Sequence, residues 1–364
     1  MDQKTDILII GAGIAGLWTA LSLKKAGFSV RVVDAPTLPK QSLYSQGMIH
    51  GGQKFVLSGD ISAFASQLAT LPARWDAAFK GQGEVDLSAV EITSHQQYFM
   101  ARGMAEGLAA FAAAKVVNAQ TAKTTPADYP DILKADQSFK GMVYTLHEKV
   151  LNPFSLIATL KQQLGKAFHD GEVIRVAANG VIHLKDGQEI MADATIALAG
   201  EGNAKLIKTL NLPIETRLRP LRQVYVSDVE YPFYGHVIGL QPKPRLTVTS
   251  LKQENGRYEW YLGGLIAEKT QGWREADIIA FAQKELHDIF PHLPWSQKSY
   301  RVFDINRAEY GADGKDVQAG PVLQKAGDIL FGWPAKLTSA PLLADMIVAE
   351  MQKAQNDQAQ RSIA

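Results

Sequence analysis

Asp6-Ile7-Leu8-Ile9-Ile10-Gly11-Ala12-Gly13-Ile14-Ala15-Gly16, near the start of the 364-residue chain, decides the fold. Residues 6–10 form an unbroken apolar run of the kind a central parallel strand shows. Leu17 to Ala26 fits a helix that closes at Gly27, a natural C-terminal stop. Phe28-Ser29-Val30-Arg31-Val32-Val33 reads as a second strand ending at Asp34. The three glycines have distinct tasks. Gly11 permits the tight turn, Gly13 lets backbone approach a pyrophosphate, and Gly16 lets helix and strand pack closely. The helix N-terminus at Ile14 and Ala15 offers unpaired N–H groups and a positive dipole end to phosphates. Asp34 falls at the roughly 20-residue spacing where a carboxylate takes ribose hydroxyls and repels a 2′-phosphate. The unit is a dinucleotide site of the α/β Rossmann type, and by itself it does not separate FAD from NAD.

Bulk composition narrows the classes. A hydrophobic content of 46% over 364 residues is enough for a large core and two domains. Lys plus Arg number 38 and Asp plus Glu 37, a net charge of +1, so there is no basic excess to neutralise a nucleic-acid backbone. The chain has no cysteine, which excludes disulfides, thiolate metal sites and a cysteine-linked flavin. His183, His236, His287 and His292 lack metal-ligand spacing, so no metal is expected. No apolar run approaches the roughly 20 residues that span a bilayer, and the N-terminus lacks a signal-peptide pattern. These features predict a cytoplasmic protein with no membrane span.

Three further segments carry a family resemblance. The first is Ser45-Gln46-Gly47-Met48-Ile49-His50-Gly51-Gly52-Gln53-Lys54. The second, Ala194-Thr195-Ile196-Ala197-Leu198-Ala199-Gly200-Glu201-Gly202-Asn203-Ala204, is a buried strand ending in small residues. The third runs from Gly327 through Phe331-Gly332-Trp333-Pro334-Ala335-Lys336-Leu337-Thr338-Ser339 to Pro341. Together they resemble the D-amino-acid oxidase superfamily, which includes glycine and sarcosine oxidases, glycerol-3-phosphate dehydrogenase and L-2-hydroxyglutarate dehydrogenase. The Ile-His-Gly-Gly string is similar to that of the glycerol-3-phosphate enzymes, and Lys336-Leu337-Thr338-Ser339 to the Phe-Lys-Leu-Ser stretch of sarcosine oxidases. The anchors run from residue 6 to residue 341. Two departures stand out: Trp333-Pro334 replaces a His-Gly type pair, and Ser42-Leu43-Tyr44-Ser45 replaces an arginine-rich segment.

The resemblance implies a Rossmann-like FAD-binding domain plus a smaller α+β substrate domain with an antiparallel sheet. The FAD-binding domain is expected in three pieces, 1–60, 142–215 and 296–355. The substrate domain takes 61–141 and 216–295, and 356–364 forms a flexible tail. Val173 to Val176 reads as a short strand, and Gly180 to Ile190 as a hairpin turning at Asp186-Gly187. Ala105 to Val116 reads as helix. Arg222 to Val229, Arg245 to Leu251 and Arg257 to Ile266 read as strands, with a turn at Asn255-Gly256. The implied cofactor contacts are Gly11, Gly13, Ile14, Ala15, Gly16, Asp34, Ser45, Gln46, Gly47, Met48, Val173, Ala199, Gly200, Gly202, Gly332, Ala335, Lys336, Leu337 and Thr338.

Four residues are catalytic candidates. His50 has three readings: a base or orienter of a substrate hydroxyl, a structural hydrogen-bonding partner in a glycine-rich loop, or a histidyl link to the flavin. Lys336 can set its ammonium where negative charge develops on a reduced flavin, or simply face solvent. Arg222 and Arg307 are candidates for a bidentate fork on a substrate carboxylate, against the commoner surface ion pair. Tyr258, Trp260 and Tyr261 can wall the pocket or fill the core, and Gln53 and Lys54 can face substrate. The resulting expectation is an FAD-dependent oxidoreductase that moves a hydride equivalent from a small amine, amino acid or hydroxy acid to flavin N5, with oxygen, a quinone or a redox protein as electron acceptor. The alternatives are an NAD-linked dehydrogenase without flavin and a non-catalytic flavin-bearing subunit.

Overall fold

A computed structural model describes residues 4–37, 40–50, 63–103, 121–177, 180–241, 243–311 and 320–363. The expected helix at Ala105 to Val116 and the candidates Gln53 and Lys54 lie outside these residues.

Two sheets organise the chain. In the first, the strand order is Val322–Ala326, Ile329–Trp333, Glu189–Ala197, Thr5–Ile10, Val30–Asp34 and Phe168–Asp170. All neighbours in this order are parallel except the Val322–Ala326 and Ile329–Trp333 hairpin. Thr5–Ile10 lies at its centre, paired on both edges, which accounts for its unbroken apolar run. Helix Ile14–Lys25 packs on this sheet with helices Pro153–Leu164 and Ala340–Ile363. The predicted hairpin at 180–190 is present as Val181–Leu184 against Glu189–Ala197.

The second sheet is mainly antiparallel. Its order is Ser299–Tyr310, Thr216–Val229, Tyr258–Gly263, Leu246–Lys252, Gly235–Val237, Gln97–Ala101, Met142–Leu146 and Thr121–Lys123. Helix Glu275–Ile289 covers one face, closing a core around Val224, Val226, Trp260 and Phe290. Trp260 and Tyr261 are therefore packing residues: Trp260 rests on Phe290 and Trp295, and the Tyr261 hydroxyl donates to the Tyr44 carbonyl.

The division between the sheets differs from the expected boundaries in three places. Helix Ala63–Phe79 joins the first core through Leu68, Leu71 and Trp75, not the substrate sheet. Its Trp75 indole donates to the Thr338 carbonyl at 3.1 Å, and Arg74 forks onto Asp345 at 2.5 and 2.7 Å. Met142–Leu146 belongs to the second sheet, because it pairs with Gln97–Ala101 along its whole length. Ser299–Tyr310 is also a second-sheet strand, in register with Thr216–Val229. These two long strands reach from one core to the other, since Ala308 packs with Phe331 and Trp333. The final helix continues to Ile363, so residues 356–363 are helical where a flexible tail was expected. The segment prolongs a helix already nucleated upstream, and Gln358, Ala359, Gln360 and Arg361 are good helix formers.

Candidate active site

A cleft of about 1260 Å³ opens between the two sheets, at the C-terminal ends of the parallel strands. That is more than the roughly 300–1,000 Å³ of a drug-sized ligand site, and leaves room for a dinucleotide and a small substrate together. In open parallel sheets, ligands bind at these strand ends.

The glycine turn is shaped as its residues demand. Gly11 has φ +111°, outside the range an L side chain adopts comfortably. A Cβ at Gly16 would lie 1.8 Å from the Gly11 carbonyl oxygen, so only glycine lets the helix close on the strand. Gly13 begins the helix, and the Ile14 N–H donates to Ser42 Oγ at 3.0 Å. Asp34 stands beside this turn, and the Ala12 and Ala35 N–H groups donate to it. Burial nonetheless raises its carboxyl to about 6.

The segment after the second strand is pinned to both sheets. Gly47 and Leu151 are joined by a 2.9 Å N–H···O=C bond from Leu151, and Met48 bridges Val150. Gln46 Oε1 accepts from the Thr249 hydroxyl at 2.8 Å, which fixes the segment against the antiparallel sheet. On the far wall, Asn203 is fully buried. Its Oδ1 accepts the Ala199 N–H at 2.9 Å and its Nδ2 donates to the Gly332 carbonyl at 3.2 Å, tying two predicted cofactor segments together. Ala335 adopts φ +61°, and the Arg307 guanidinium donates to its carbonyl, holding the turn that leads into Lys336.

The cleft thus brings together His50, Lys336, Arg307 and every predicted cofactor contact except Gly16, which lies behind the turn. Arg222 is not among them. Strand alternation sends Arg217, Arg219 and Gln223 to the cleft and Arg222 to the opposite face. There it pairs with Asp304, its register partner, at 2.5 Å. The carboxylate-fork assignment for Arg222 is corrected on that ground.

Arg217, Arg219, Gln223 and His236 were missed by the sequence reading. Pro220 concealed the first half of its strand, because proline inside a run argues against a paired strand. Here Pro220 stands opposite Asn306 in a continuous ladder. Read from Thr216 instead, the alternation of Arg217, Arg219 and Gln223 would have been visible. His236 sits on Gly235–Val237 with Nδ1 2.8 Å from the Thr247 hydroxyl, and lines the cleft.

The arginines converge on Glu309. Its Oε2 accepts from Arg217 Nε at 3.0 Å, and its Oε1 from Arg219 Nε and Nη2 at 3.2 and 3.1 Å. Arg307 Nε is 3.3 Å from the same Oε1. Burial would raise the Glu309 carboxyl, but Arg219, with Arg307 and Arg217, holds it below its usual range. Burial also lowers Arg307, and the neighbouring charge of Arg219 adds to the effect.

The lining suits FAD. Ser45 Oγ, Gln46 Nε2, Gln223 Oε1 and Thr338 Oγ1 are buried atoms of cleft-lining side chains with no hydrogen-bond partner among the described residues. Buried polar groups are ordinarily satisfied, so this concentration fits a polar ligand. The glycine turn and Asp34 would hold the pyrophosphate and a ribose.

Comparison with known proteins gives the class. Residues 6–349 match the DAO family, described as FAD dependent oxidoreductase. The chain belongs to that family: it is an FAD-dependent oxidoreductase with FAD as its cofactor. Membership sets aside the NAD-linked and non-catalytic alternatives. The chain is 37% identical over 359 residues to the FAD-dependent oxidoreductase PA4991 of Pseudomonas aeruginosa, covering 96% of this chain and 91% of that protein. The crystal structure of PA4991 superimposes with a TM-score of 0.82 over 98% of this chain and 92% of that one, at 33% identity. Glycine oxidase from Geobacillus kaustophilus gives 0.71 at 14% identity over 96% and 95% of the two chains. Iminodiacetate oxidase from Chelativorans sp. BNC1 gives 0.70 at 15% identity over 94% of each. These last two share the fold.

Proposed function

We propose that this enzyme oxidises a small carboxylate-bearing substrate at the carbon that carries its amine or hydroxyl, giving an imine or a carbonyl. Bound FAD supplies the acceptor for the hydride equivalent, at flavin N5. The observation that carries the reading is Arg307, a guanidinium in the cleft anchored to the Ala335 carbonyl beside Lys336. A fixed guanidinium binds a carboxylate bidentately and sets the substrate's orientation. Gln223 offers a buried oxygen with no donor among the described residues, suited to an amine or hydroxyl proton. His50 takes the role of proton acceptor or orienter, since an imidazole titrates near neutral pH. Lys336 provides positive charge where the reduced ring accumulates electrons.

The test is anaerobic mixing of the flavin-loaded protein with amino acids of both hands, N-alkyl glycines and 2-hydroxy acids, following bleaching of the oxidised flavin. At least one carboxylate-bearing compound should reduce it, and Arg307→Met should weaken its half-saturation by about 100-fold, roughly 3 kcal/mol for a lost charged hydrogen-bond pair. Alanine at His50 or Lys336 should slow reduction at least tenfold, about 1.4 kcal/mol of barrier. Failure of every carboxylate-bearing compound, or an unchanged half-saturation in Arg307→Met, would overturn the reading. Peroxide formation in air identifies oxygen as the acceptor; its absence directs the search to quinones and redox proteins.

A further inference from the structure

We infer that the cleft is built for a 2-hydroxy acid rather than an amino acid, through a matched donor and acceptor at Gln46 and Gln223. The inference rests on the proposed oxidation of a carboxylate-bearing compound and narrows its substrate class. Gln46 belongs to the segment after the second parallel strand, and Gln223 to the facing antiparallel sheet. The Thr249 hydroxyl donates to Gln46 Oε1 at 2.8 Å, which turns the carboxamide nitrogen away from Thr249. That nitrogen comes to rest over Gly263, where an added Cβ would lie 2.6 Å from it. Gly263 is a gap in the sheet surface, and the end of the Gln46 side chain occupies it.

Strand register brings Gln223 to the same place. Val224 pairs with Leu262, so Gln223, one residue back, stands across from Gly263, one residue on. Directly opposed residues point their side chains to one face, with Cβ positions roughly 5 Å apart. Gln46, Gly263 and Gln223 all line the cleft. Gln46 Nε2 and Gln223 Oε1 are buried and have no hydrogen-bond partner among the described residues, and Gln223 is only 8% exposed. The first atom only donates and the second only accepts. Leaving both unpaired is costly, and a ligand that pairs both removes the cost.

A hydroxyl does so. It gives its proton to Gln223 Oε1 and takes the Gln46 N–H on a lone pair. The ammonium group of an amino acid has protons to give and no lone pair. It satisfies Gln223 and sets N–H against N–H at Gln46. The sheet supplies no carboxylate there to compensate: Thr247 flanks Gly263, and the next row on that face is Thr249, Tyr261 and Tyr225.

The test uses acids that cannot be oxidised because the carbon beside the carboxylate bears no hydrogen, titrated into the flavin-loaded protein and followed through its visible spectrum. 2-Hydroxyisobutyrate is compared with 2-aminoisobutyrate, citramalate with 2-methylaspartate, and atrolactate with α-methylphenylglycine. In every pair that binds, the hydroxy member should bind at least tenfold tighter. Where only other acids reduce the flavin, half-saturation by the hydroxy and amino acids of one side chain gives the same comparison. Gly263→Ala should bring the members of a pair within threefold, because its Cβ displaces the carboxamide and leaves Gln46 in the chain; Gln46→Leu should do the same. Equal or tighter binding of the amino members to the wild-type protein overturns the hydroxy-acid assignment and leaves the proposed oxidation standing. A preference that survives in both variants overturns the role of Gln46. Binding of no member, with no reduction by any carboxylate-bearing compound, overturns the oxidation as well. The wild-type comparison decides the substrate class even where a variant fails to fold.

Discussion

Asp34 shows what a cofactor site costs a single residue. Its carboxyl is raised from 3.8 to about 6 because burial outweighs the N–H bonds it accepts. A group raised in the folded state contributes stability that is complete below its unfolded value and is lost as pH rises through its folded value. The cofactor-free protein should therefore lose stability between roughly pH 4 and pH 7 on account of Asp34, by an amount on the order of 3 kcal/mol. Asp34→Asn should flatten that part of the pH profile and raise the thermal midpoint of the cofactor-free protein at pH 8. The same variant should bind FAD at least tenfold more weakly, because the carboxylate expected to take the ribose hydroxyls is gone. Thermal melts across pH with and without FAD check both halves; a wild-type profile that rises over this range would contradict the burial argument. Asp34 itself was legible from its spacing after the glycines. Its altered acidity was not, because desolvation depends on what surrounds the carboxyl.

Among the elements, those with one environment along their length were the easiest to read. Thr5–Ile10 is flanked on both edges and its apolar run announces it. The hairpin at 181–197 announces itself through Asp186-Gly187, a turn whose chemistry is local. The strand Thr216–Val229 was half hidden, because its first residues serve the cleft and its last the core, so no single pattern runs through it. Element ends that depend on each other across the sequence are invisible to spacing. Asn203 is the case in point, holding the Ala199 N–H and the Gly332 carbonyl, 129 positions away from Gly332. Asn203→Ala should destabilise the protein by about 2–4 kcal/mol, since it leaves two buried backbone groups unpaired. Urea unfolding should show an earlier midpoint together with weakened FAD retention. An unchanged midpoint would mean that water replaces the side chain without cost.

Among the described residues two large sheets face one cleft, joined by long strands that belong to both cores. Because the residues expected to contact the cofactor line both sides of that cleft, FAD should act as a clamp. A hundredfold excess over its Kd should add about 2.7 kcal/mol to stability by mass action alone. Unfolding followed by circular dichroism and by flavin release should then coincide. A flavin lost well before the backbone unfolds would show that the cofactor is held by one side only.

The sequence by itself determined the Rossmann unit, the family and the three segments that meet at the cleft, because glycine turns, buried strands and a terminal acid are local chemical requirements. It also singled out Arg307 and Lys336, each from its place within a segment. Only the tertiary structure decided that Arg222 faces away while Arg217, Arg219 and His236 face in, since the face of a strand is fixed by pairing and register. It likewise moved helix Ala63–Phe79 to the cofactor side, where Leu68, Leu71 and Trp75 find their core. Amphipathic faces say that a partner exists; which partner is settled by packing between residues far apart in the chain.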